Sequence, residues 1–202
     1  MKKQTLFILL LISTIIVLIL SAANGSVQIP LADLIKSKIF WDIRLPRIIL
    51  GFLVGAGLAC SGAVMQGIIR NPLAEPFSLG ISGGAALGAA LGIVFGISAG
   101  AISFFAFAGA LLAFILILLL SDCLDNHSMI LAGVMISFVF SSAVMLIFAL
   151  AKAEAIHRTI LWLMGDLSSS ELGALLIPGA IILFGILIFL YFSKKLNLMY
   201  LG

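Results

Sequence analysis

Ile48 to Ile69 is an uncharged run of 22 residues, preceded by Arg44 and Arg47, followed by Arg70, and then broken by Pro72 and Pro76. At about 1.5 Å per residue such a run reaches roughly 33 Å as a helix, enough to cross a ~30 Å hydrocarbon layer. Asn71, Pro72, Glu75 and Pro76 then impose irregular backbone beside that layer. Unpaired amides are very costly there, so irregular backbone survives only inside protein or against a watery cavity. A chain built this way reads as one that borders a passage.

The rest of the composition agrees. Hydrophobic residues make up 63% and charged residues 9% of the 202 positions, whereas about a quarter of a soluble domain is charged. This is the composition of an integral membrane protein. The net charge of +3 comes from scattered Lys and Arg, so no nucleic-acid patch is indicated. Cys60 lies in an apolar run and Cys123 in a polar loop, and two such cysteines do not form a disulfide framework. His157 has no His, Cys or carboxylate at ligand spacing. No metal site and no cofactor are expected.

The hydropathy pattern predicts an all-α fold, a polytopic transmembrane bundle of about six spans. The first follows a basic start and runs from Leu6 through Ala23; it also has features of a signal peptide, but its apolar run exceeds the roughly 7 to 15 residues of a signal core, which favours a retained helix. The second is Ile48 to Ile69. Phe77 to Ser121 holds neither charge nor proline over 45 residues, about twice a bilayer crossing, and is expected to reverse near Gly96, Ser98 and Gly100. A fifth span runs from Met129 to about Ala151 and a sixth from about Gly173 to Tyr191. Pro30 to Trp41 and His157 to Met164 read as short helices lying at the interface.

Six spans put both termini on one side. With that side cytoplasmic it receives Lys2, Lys3, Arg70, Lys194 and Lys195, while the other receives Lys36, Lys38, Arg44, Arg47, Lys152 and Arg158. Five against six is no bias. The Lys-bearing tail before the first span favours cytoplasmic termini.

Glycine recurs at Gly80, Gly84, Gly88, Gly92, Gly96 and Gly100, and Gly51, Gly55, Ala59, Ala63 and Gly67 repeat the four-residue spacing in the second span. Small residues so spaced let membrane helices approach closely. Both helices are expected inside the bundle, with Gly51, Gly55, Gly80, Gly84, Gly88 and Gly92 at packing contacts. Gly55-Ala56-Gly57 is no nucleotide fingerprint, and no phosphate-cradling Gly-Lys-Ser/Thr loop occurs. The chain is not expected to hydrolyse ATP.

Four segments together resemble a known family. They are Arg44-Leu45-Pro46-Arg47, Ser61 to Gln66, Asn71-Pro72-Leu73-Ala74-Glu75-Pro76 and Leu79 to Ala85, with weaker echoes at Ile130 to Val134 and Trp162 to Gly165. In order and spacing they are similar to the FecCD-type permease subunits of ABC importers for iron-siderophore complexes, haem and cobalamin. Family members carry about ten spans, so the resemblance implies that residues 1–202 form the N-terminal portion of one permease domain, without the later spans and most of the loop that seats on the ATPase. It implies a type II importer permease in the cytoplasmic membrane. The partners implied are a cytoplasmic ABC ATPase dimer, an extracytoplasmic substrate-binding protein, a second permease subunit in a homo- or heterodimer, and membrane lipid.

The resemblance also assigns residues. Arg44 and Arg47, cations at a helix start where the dipole disfavours them, would face acidic residues of the binding protein; lipid headgroups are the alternative. Asn71 and Leu73 would narrow a cytoplasmic gate; the alternative is a structural cap in which Asn71 and Glu75 satisfy amides of the next helix. Gln66, Ser82, Ser137, Ser141 and Ser142 are candidates for lining a pathway, or for bonding to neighbouring helices or their own backbone. No acidic or basic residue lies mid-span, which counts against an ion-coupled secondary transporter or channel subunit. A non-transporting membrane scaffold is the third reading.

Overall fold

The computed structural model describes residues 3–25, 27, 29–72, 74–75, 77, 79–121, 126–167 and 172–201. Leu73, Pro76 and Cys123 lie outside them. The described residues are almost wholly helical: α1 (Lys3–Ala23), α2 (Leu45–Ile69), α3 (Ile81–Val94), α4 (Ala99–Ser121), α5 (Asn126–Leu150), α6 (Ala153–Met164) and α7 (Leu176–Leu201), with short 3-10 turns at Leu31–Lys36 and Leu172–Leu175.

Among the described residues, five stretches are long and apolar enough to cross a membrane: Gln4–Ala23, Phe40–Ile69, Ala99–Ser121, Ser128–Leu150 and Leu176–Met199. The third expected span corresponds to a shorter apolar helix, Ile81–Val94. Helix α3 has only 14 residues, about 21 Å of rise against a ~30 Å core. Left-handed glycines bracket it, Gly80 at φ 78° before it and Gly96 at φ 72° beyond its end. These are backbone angles at which an L side chain is strained.

The chain forms two compact units, the first made of Met1–Leu58 and Leu167–Ile188, the second of Ala59–Asp166 and Phe189–Gly202. In the second, α3 packs closely along α4. A Cβ on Gly84 would strike the Gly109 carbonyl, one on Gly88 the Phe105 carbonyl, and one on Gly109 the Gly84 carbonyl. Where lipid offers no hydrophobic drive between helices, this backbone-to-backbone approach gives α3 its dispersion contact. Ala89, Ile93, Ile102 and Ala106 fill the seam. Gly83 abuts Ser137 and Phe140 of α5.

Helix α6 lies against the same seam. Ala155 and Trp162 pack on it, and Thr159 between them is fully buried, its hydroxyl donating to the Ala155 carbonyl at 2.8 Å. Its other face exposes His157, Arg158, Leu161 and Met164. A short helix with one face on protein and a mixed apolar-charged opposite face suits the interface expected there.

In the first unit α2 and α7 meet at Gly57 and Gly179, where an added Cβ would lie 3.3 Å from Ile182 and from Leu53. The α2 ridge anticipated at Gly51 and Gly55 lies elsewhere: Gly55 has nothing within 4 Å and Gly51 only Leu167 at 3.9 Å. Residue 57 sits about 200° round the helix from residue 55, which is why one glycine is covered and the other open.

Candidate functional site

The two ends of α2 carry the features that matter. At its start, Pro46 has no N–H to donate, and its ring collides with the carbonyl four residues back in a regular helix. The turn before it, Phe40–Arg44, widens into a π-helix, the arrangement that relieves such crowding. Trp41 Nε1 donates to the Ile35 carbonyl at 2.8 Å, which fastens the preceding 3-10 turn to this wide turn.

Arg44, on the last residue of the wide turn, is swung inward and only 7% exposed. Its Nη1 donates to the carbonyls of Ala22 at 2.6 Å and Ala23 at 2.8 Å, and its Nη2 to that of Val27. The guanidinium thus covers the negative end of α1, where a cation is favoured by the helix dipole. Arg47 is exposed. The motif expected to present two arginines together therefore separates them: one closes α1 and the other stays at the surface. Sequence spacing does not show this, because a proline near a helix start fits a regular first turn as well as a wide one.

At its far end, α2 stops on Arg70, the one non-glycine with positive φ among the described residues, at 55°. Its Nε donates to the carbonyl of Met199 in the last turns of α7 at 2.7 Å. Spacing alone did not reveal this contact; a charged residue between an apolar helix and Asn-Pro was the available signal. Beyond it the elbow is nailed to the second unit by Ala74 at 0% and Leu79 at 2% exposure, which join Ile69, with Met65, Ile81 and Ile130 around them. Ala74 N–H donates to the Asn71 carbonyl at 3.0 Å and Gly80 N–H to that of Phe77 at 3.3 Å. Apolar plugs thus fix the backbone while Asn71 stays half-buried and Pro72 and Glu75 exposed.

The other candidates are distributed. Ser82 is half-buried in the first turn of α3, and Ser137 is half-buried on α5 where its backbone faces Gly83. Ser141 and Ser142 are exposed on α5, and the Ser142 hydroxyl donates to its own Phe138 carbonyl at 2.8 Å. Gln66 is exposed on α2.

A family model described as the FecCD transport family matches residues 10–202. The Fe(3+)-citrate import system permease protein YfmE of Bacillus subtilis is 35% identical over 100% of this chain and 64% of its own length. The hemin transport system permease protein HmuU of Yersinia pestis is 33% identical over 95% of this chain and 62% of its own. A metal-chelate type ABC transporter solved in an inward-facing conformation superposes with a TM-score of 0.87 at 32% identity, covering 98% of this chain and 65% of that one. The chain spans a little under two thirds of the length of these relatives.

Proposed function

The chain belongs to the FecCD transport family, and on that premise we propose that it acts as a transmembrane permease component of an ABC importer for iron-siderophore complexes, with haem and cobalamin as the alternative cargoes. Energy would come from a cytoplasmic ATPase dimer and cargo from an extracytoplasmic binding protein, around a permease dimer in the cytoplasmic membrane. Family membership over residues 10–202 supports this reading most. The named iron-citrate and hemin relatives favour the iron-bearing cargoes.

The elbow from Arg70 to Gly80 would border the inner mouth of the pathway, with Asn71 and Leu73 narrowing it. Supporting this, irregular backbone stands between two apolar helices with Asn71, Pro72 and Glu75 left partly or fully exposed while Ala74 and Leu79 anchor it. Gln66, Ser82, Ser137, Ser141 and Ser142 would contribute weakly polar lining. On the outer side Arg47, beside the buried Arg44, would meet acidic residues of the binding protein. ATP and the loaded binding protein would each shift the permease only through contacts that differ between its two packings.

Uptake of radio-iron as a siderophore complex into proteoliposomes tests this, with the chain reconstituted beside its ATPase and binding protein. ATP-dependent uptake that requires the chain is the expected result. Uptake that persists without the ATPase would place the chain with secondary transporters instead.

A further inference from the structure

The end of α2 and the end of α7 meet at a polar contact to which the import reading gives no task. Arg70 Nε donates to the Met199 carbonyl at 2.7 Å, across 129 residues of sequence, and both residues lie in the second unit. A backbone carbonyl has two lone pairs, so this bond forms whether or not the oxygen also accepts within its own helix.

The turn explains the backbone at position 70 but not the side chain. Arg70 holds φ 55°, where glycine has no steric penalty and would reverse the chain as well. An arginine there carries strain that its side-chain contact must offset, and strained residues of this kind cluster at clamps and switch regions.

The two elements joined are held unequally. Ile69, Ala74 and Leu79 bury the base of the elbow in an apolar cluster, whereas none of the residues of α7 from Phe189 to Met199 is buried. The end of α7 therefore lacks the packing that fixes the elbow. Arg70 is itself exposed, so its bond is a surface latch that water can replace, not part of the core. The dipole at the carbonyl end of α7 favours the cation that closes it.

We propose that Arg70 is a positioning residue of the inner gate: through Met199 it makes the elbow follow the end of α7, so that displacement of α7 changes how far the inner mouth is closed. This rests on the reading of the elbow as the border of the pathway.

The test uses the complete importer in proteoliposomes, with uptake of siderophore-bound radio-iron and ATP hydrolysis measured on the same vesicles for the parent, Arg70→Gly and Arg70→Lys. Arg70→Gly keeps the left-handed turn and removes the bond. It is expected to lower the iron taken up per ATP hydrolysed by about fivefold, the low end of coupling between two sites, with hydrolysis retained. Arg70→Lys keeps a cationic donor and should regain most of that ratio. Uptake and hydrolysis falling together in Arg70→Gly would mean a merely structural residue and overturn the proposal. So would an unchanged ratio, or a lysine variant no better than glycine.

Labelling of Asn71→Cys, in a chain with Cys60→Ala and Cys123→Ala, separates this inference from the reading beneath it. With Arg70 present the rate should differ between ATP-bound and nucleotide-free complexes, and with Arg70→Gly the difference should vanish. A difference that persists in Arg70→Gly overturns the role of Arg70 alone. No difference in either chain overturns the gate, and this inference with it.

Discussion

Arg70 Nε donates to the carbonyl oxygen of Met199 at 2.7 Å, joining the residue that opens the proline elbow to the end of α7. A cation on the carbonyl end of a helix is favoured by the dipole, and its backbone at φ 55° is a conformation that side chains rarely adopt. The contact is thus maintained against local strain. Any displacement of the α7 terminus would be felt directly at the elbow.

Arg70→Ala and Arg70→Gly separate the two effects. Both lose the bond to Met199, worth about 1.5–3 kcal/mol for a charged donor. Glycine also removes the left-handed penalty of about 1–2 kcal/mol, so Arg70→Gly should unfold later than Arg70→Ala in a detergent thermal series. Equal stability of the two would show that the backbone there is unstrained.

Gly88 and Gly55 should answer oppositely to the same change. At Gly88 a methyl group meets the Phe105 backbone, which cannot yield as a flexible side chain would, so Gly88→Ala should cost about 1–3 kcal/mol. Gly55→Ala has open space and should be neutral or slightly stabilising through its better helix propensity, by up to about 1 kcal/mol. Thermal unfolding of the two variants side by side checks this.

Removing the Arg44 side chain should loosen the end of α1. Arg44→Ala leaves the carbonyls of Ala22, Ala23 and Val27 without their cation, a loss of about 2 kcal/mol from the dipole interaction alone in a partly buried setting. Hydrogen exchange should quicken in residues 20–25, while exchange in α4 stays unchanged. Uniform acceleration throughout the chain would indicate global destabilisation instead.

Ala74 should tolerate nothing larger. Its side chain is fully buried between Ile69 and Leu79, so Ala74→Leu overpacks the elbow at about 1–3 kcal/mol. Cysteine labelling at position 71 reads the result: the reagent should react faster in Ala74→Leu than in the parent if the plug holds the elbow in place. An unchanged rate would mean that Ala74 merely fills space.

Most of the helices were legible in the residues. Long uncharged runs at α1, α2, α4, α5 and α7 leave the backbone one economical solution in lipid, so their existence follows from length and composition alone. The reversal between α3 and α4 was legible at Gly96, but the late start of α3 was not, because Phe77 to Ser121 is apolar throughout and hydropathy does not register where Gly80 turns left-handed. The small-residue spacing was found on both α2 and α3, yet only on α3 does it match the close contacts seen. Four-residue periodicity marks a face that can approach another helix and does not say whether one is there.

The sequence by itself determined that this chain lives in a membrane, which segments are apolar enough to cross it, and that an Asn-Pro-rich break follows α2. Those follow from local terms: the cost of burying charge, and the constraints proline puts on its own turn. Only the tertiary structure decided that Arg44 turns inward to the end of α1, that Arg70 reaches α7, and that Gly57 rather than Gly55 meets Ile182. Such choices depend on which partner stands opposite each side chain, and in lipid that is set by small differences in packing and polar contact that no single segment carries.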